Sequence, residues 1–128
     1  MNKVSSASHK DAAVDFLKMI VAGKIDEAYS KYVDMSGKHH NVFFPSGFAS
    51  LQSAMKENQS QMPDKELTVK NVIGDADIVV VHSHLTFHRG EDGMAVVHIL
   101  RFKNDRIVEL WDCGQAIPKD SPNNDGPF

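Results

Sequence analysis

Four side chains stand where strand periodicity favours hydrocarbon: His82 and His84 in DADIVVVHSHLTFHRG, His98 in GMAVVHILRFK and Asp112 in RIVELWDCGQ. A carboxylate in an apolar pocket loses solvation of its charged form and moves toward the range of a general base. An imidazole beside it can donate a hydrogen bond to a carbonyl oxygen or hold the carboxylate in place. Together they suit removal of a proton next to a carbonyl, with the enolate oxygen held by the imidazole donor. That chemistry needs no cofactor.

Two registers of the last hairpin are open. A three-residue loop at Lys103-Asn104-Asp105 pairs Phe102 with Arg106. It gathers Val96, His98, Leu100 and Phe102 with Val108, Leu110 and Asp112 on one face. A two-residue turn at Asn104-Asp105 sets His98 beside Trp111 instead. On the preceding strand His82 and His84 share a face, and Val79, Val81, Ser83, Leu85 and Phe87 form the other. The set His84, His98 and Asp112 is expected to form a pocket floor, closed by His40 or Asn41.

Helices must cover this sheet. Ala13, Phe16, Leu17, Ile20 and Val21 make one apolar stripe, with Ser8 as N-cap and Gly23 as stop. A second short helix, KIDEAYSKYV, turns Ile25, Ala28, Tyr29 and Tyr32 to one side. DMSGKHHNVFFPSG reads as irregular. A third helix starts near Ser46, sends Phe48, Leu51 and Met55 inward and ends before Pro63. The period then changes to two, predicting four strands in an antiparallel meander. Helices followed by a meander predict one α+β domain over residues 1–128, a curved sheet enclosing a pocket, and a surface tail from about residue 119.

Composition narrows the function classes. The 128 residues carry a net charge of −3 without a Lys/Arg cluster, which argues against nucleic acid. The apolar runs are too short for a membrane span, and MNKVSSASHKD lacks the apolar stretch of a secretory leader. The single cysteine, Cys113, forms no internal disulfide, fits a cytoplasmic location and reads as a small buried residue. Seven histidines are many for this length. Metal binding by His39/His40 and His82/His84 is the weaker reading, since adjacent histidines point apart in extended chain and no HExxH spacing exists. Glu109 is a candidate for an ion pair with Arg101 or Arg106, and Trp111 for a structural or interface role.

The order of two helices, HHN, a third helix, VVVHSH, AVVHILRF, NDRIVELWD and QAIP resembles the SnoaL-like group of the NTF2-like superfamily. The resemblance runs from about residue 10 to 118. It implies a cone-shaped α+β barrel, cystatin-like, with a pocket at its wide end and commonly a homodimer through the outer sheet face. It also implies a late-strand aspartate as acid/base in cofactor-free aldol closure, a place that Asp112 matches. His40 and Asn41 match the family's HN, which lines the pocket. His98 departs from the acidic residue that many relatives carry, which changes the pocket's charge. The expected protein is a cofactor-independent aldol cyclase or isomerase acting on a small carbonyl or aromatic compound. Asp112 is its base, His98 or His84 its oxyanion donor, and His40 and Asn41 orient substrate. Phe43, Phe44 and Trp111 supply walls, and His82 adds to the binding set. A ligand-binding module without chemistry is the alternative. A surface-mediated interaction protein, its pocket filled by side chains, is the third.

Overall fold

A computed structural model describes residues 6–128. The leader-free reading of the first five residues lies outside that range. The chain runs α1 (Ser6–Val21), α2 (Ile25–Tyr32), β1 (Val33–His39), α3 (Phe48–Gln61), β2 (Glu66–Asp75), β3 (Ile78–Thr86), β4 (Met94–Lys103) and β5 (Arg106–Ala116). The helix α1 begins at Ser6, so Ser8 lies within its first turn and is not the N-cap expected from the sequence. The five strands form one sheet in the order β1-β5-β4-β3-β2.

Strands β2 to β5 pair antiparallel, as alternating apolar residues require. β1 was not expected: Val33–His39 pairs parallel to β5 and makes the sheet mixed. Only Val33 and His39 of this edge strand are buried, so its sequence shows no alternation of hydrocarbon. Gly37 is required there, because a Cβ would stand 2.3 Å from the Val108 carbonyl oxygen.

The inner face of the sheet meets the helices. Phe16, Leu17 and Ile20 of α1 pack with Tyr29 of α2 and Phe48 and Leu51 of α3 onto Val79, Val81, Leu100, Phe102, Ile107 and Leu110. Phe16 and Phe48 flank Tyr29 edge-on, with ring centroids at 5.6 and 6.2 Å. Burying each of these large side chains contributes roughly 1.5–3 kcal/mol. The helices cover only part of the face. Beyond them, Leu85, Met94, Val96 and Asp112 look into a cavity of about 440 Å³.

The β4–β5 hairpin resolves the register in a way neither simple scheme contained. Asn104 and Asp105 take positive φ of 51° and 63°, so the turn is the two-residue kind with Lys103 opposite Arg106. A bulge then inserts one residue on β5: Phe102 pairs with Ile107, but Arg101 pairs with Glu109. The extra residue, Val108, lets Ile107 and Leu110 both enter the core. It also moves Trp111 away from His98 and sets Asp112 directly opposite His98.

Candidate active site

Asp112 and His98 face each other across β5 and β4 on the inner face, and both line the cavity. Directly opposed residues in an antiparallel pair have their Cβ atoms about 5 Å apart. His98 Nδ1 is buried without a hydrogen-bond partner among the described residues. Burial pushes the His98 imidazole below its ordinary range, and the attraction of Asp112 offsets this only in part. The ring is therefore neutral at pH 7, one nitrogen an N–H donor and the other an acceptor.

Asn41 completes the group. Its Nδ2 donates to Asp112 Oδ2 at 3.0 Å, while its Oδ1 accepts the Phe43 backbone N–H at 3.0 Å. The second bond fixes which end of the amide faces the carboxylate. The loop that presents Asn41 is held from below by His39. The His39 ring accepts the Asn41 backbone N–H on Nδ1 at 3.1 Å and donates from Nε2 to the Pro45 carbonyl at 2.9 Å. These two bonds, about 1 kcal/mol each, require the neutral ring with its proton on Nε2. His39 is a buried positioning residue that the sequence offered only as a metal ligand in the weaker reading.

Phe43 and Phe44 line the cavity mouth, with Phe43 85% exposed. The other expected site residues lie elsewhere. His84 does not join His98 and Asp112. It pairs opposite Ala95 on the outer face and donates to the Asp92 carbonyl at 2.7 Å. His82 is also outside, accepting from Asn71 at 3.1 Å. The parity is set by Val79, Val81 and Ser83, which are wholly buried against the helices and so turn both histidines outward. His40 leaves the sheet toward the same outer face. There it stacks on Trp111 with centroids 5.0 Å apart and donates to Glu109 Oε2 at 2.6 Å. Cys113, expected to be buried, is exposed.

The cavity holds two polar residues that the sequence did not flag, Asn58 and Lys65. A lysine after Pro63-Asp64 looks like any surface lysine, so no sequence signal marked it. Among the described residues no three His, Cys, Asp or Glu gather in a way that could hold a metal ion. No helix among them is long and apolar enough to cross a membrane.

The SnoaL-like domain family matches residues 13–110, most of the chain. The chain belongs to the SnoaL-like family. That match leaves Asp112 just beyond its end. The fold of this SnoaL-like chain also recurs in solved structures. A SnoaL-like protein of unknown function from Burkholderia thailandensis superposes with a TM-score of 0.73, covering 89% of this chain and 100% of its own at 14% identity. A proposed polyketide cyclase from Acidithiobacillus ferrooxidans gives 0.67 over 90% and 92% at 20% identity. An NTF2-like protein of unknown function from Cytophaga hutchinsonii gives 0.66 over 89% and 93% at 11% identity. Likeness at these identities establishes an α+β NTF2-like fold and nothing finer. No curated protein matches the chain.

Proposed function

We propose that this SnoaL-like chain catalyses cofactor-independent proton transfer at a carbon next to a carbonyl, in an aldol condensation, cyclisation or isomerisation. The supporting observation is the His98–Asp112 pair, opposed across two strands at the edge of a largely apolar cavity. The Asp112 carboxylate accepts the α-proton and becomes the acid that returns it. As negative charge moves to the carbonyl oxygen, the N–H of neutral His98 donates to it. Asn41 keeps one carboxylate oxygen occupied and so aims the other at substrate. Phe43 and Phe44 supply apolar walls for an aromatic or otherwise apolar substrate body. The reading includes a homodimer packed through the outer sheet face, where Val97, Ile99 and Trp111 are only half-buried in the single chain. Light scattering on the purified protein reads that state directly.

The test is deuterium exchange at the α-carbon of aryl methyl ketones and β-diketones in D₂O, followed by NMR. The expected result is exchange above the buffer rate that falls about a hundredfold in Asp112→Asn. Wild-type exchange in that variant overturns the assignment of Asp112. Tight binding of the same compounds without exchange replaces catalysis with the second reading, a ligand-binding module, which the same apolar cavity suits.

A further inference from the structure

The cavity is polar at two ends, and only one end belongs to the proposed proton transfer. Lys65, just before β2, lines the other end with Asn58 of α3, and its ammonium donates to Asn58 Oδ1. Every ion pair among the described residues involves other groups, so Lys65 has no carboxylate within reach. Burial alone holds its ammonium below the usual lysine range. A half-buried ammonium facing an apolar cavity without a counter-charge costs free energy that its one hydrogen bond to a neutral amide recovers only in part. An anion delivered by a ligand would recover it.

Position and charge together define that ligand. Lys65 and Asp112 are the one lysine and the one acidic side chain among the residues that line the cavity. An anionic ligand group is therefore drawn to the Lys65 end and repelled from the Asp112 end. The strand order puts β4 and β3 between β5 and β2, so three strand spacings of about 4.8 Å each separate the two ends across the sheet, and the register offsets them along the strands as well. Leu85, Met94 and Val96 form an apolar floor between them.

We propose that the cavity selects an elongated anionic carbonyl compound, its carboxylate held by Lys65 and Asn58, its apolar body on Leu85, Met94 and Val96, and its enolisable carbonyl at Asp112 and His98. The carbonyl placement rests on the proton-transfer reading above; the anion preference does not. The carboxylate gains a charge-assisted hydrogen bond in a low-dielectric site, whereas a neutral ester leaves the ammonium unpaired.

The experiment compares 6-acetyl-2-naphthoate, an enolisable ketone with a carboxylate at its far end, with its methyl ester. Calorimetry gives Kd for both on wild-type protein, Lys65→Met and Lys65→Arg. The expected result is a wild-type preference for the carboxylate of about tenfold or more. That preference disappears in Lys65→Met and persists in Lys65→Arg, with thermal unfolding of both variants close to wild type. Lys65→Gln serves where Lys65→Met does not fold. Equal affinity for acid and ester in wild-type protein, no binding of the acid, or a preference that survives loss of the ammonium overturns the proposal. Asp112→Asn separates the two readings: it keeps the carboxylate preference while acetyl deuterium exchange is lost. A wild-type protein that prefers the acid but exchanges nothing retains the anion site and loses the catalytic reading.

Discussion

Each face of the β4–β5 hairpin sets one of its carboxylates beside an imidazole, His98 of β4 inside and His40 from the loop after β1 outside, and the two pairs are built differently. Outside, Glu109 accepts from His40 at 2.6 Å, lies 3.5 Å from Arg101 Nε and has Lys38 Nζ at 4.0 Å. The His40 hydrogen bond leads in holding its carboxyl below the usual range, and both His40 and Arg101 lie against the Trp111 ring. That pair is saturated by the protein. Inside, Asp112 has one donor, Asn41, and His98 keeps an unpartnered Nδ1 in apolar surroundings. Residue types alone do not distinguish a salt bridge from a reactive pair; spare hydrogen-bonding capacity facing a cavity does.

The contrast can be broken most sharply by neutralising each carboxylate. Asp112→Asn is expected to lower α-proton exchange about a hundredfold, whereas Glu109→Gln changes it less than about twofold. Equal effects would erase the distinction between the faces. Asn41→Ala removes the amide that aims Asp112, and a loss of about tenfold in kcat with little change in KM is expected from steady-state rates. His98 predicts a pH signature. Its folded pKa lies below the unfolded value of about 6.5, so under acid the unfolded chain takes up a proton that the folded chain refuses. Stability is complete above pH 6.5 and falls as pH drops toward the folded pKa, by up to about 1.4 kcal/mol per unit. Urea titrations between pH 5 and 7 should show that slope in wild-type protein and a flatter one in His98→Met. The smallest effect belongs to the outer network. Glu109→Gln should cost under about 1 kcal/mol in urea unfolding, since its partners Lys38, His40 and Arg101 all reach solvent and solvent-screened pairs contribute little.

Much of the fold was legible because burial imposes a period. The α1 stripe and the four antiparallel strands follow from spacing alone. β1 escaped because an edge strand buried at two positions has no period to read, and because Gly37 looks like a breaker until the Val108 carbonyl stands beside it. Alternation placed His82 and His84 on one face together, but which face meets the helices is a tertiary choice, and Val79, Val81 and Ser83 decided it. Asp112 and Asn41 could be singled out from the sequence; their hydrogen bond could not, since it depends on how His39 holds the loop. Lys65 was invisible for the opposite reason: nothing in its neighbours in the chain reveals a cavity assembled from α3 and distant strands.

The single unpaired residue at Val108 has a mechanical consequence. Between the tip at Asn104-Asp105 and the pair at His98 and Asp112, the hairpin contains slack of one residue. A length change at the tip can be absorbed there by gaining or losing the bulge, while Leu110, on the cavity side of it, stays opposite Leu100. Without that slack, one residue added at the tip would shift the cavity end by a residue and turn Asp112 to the wrong side of the sheet.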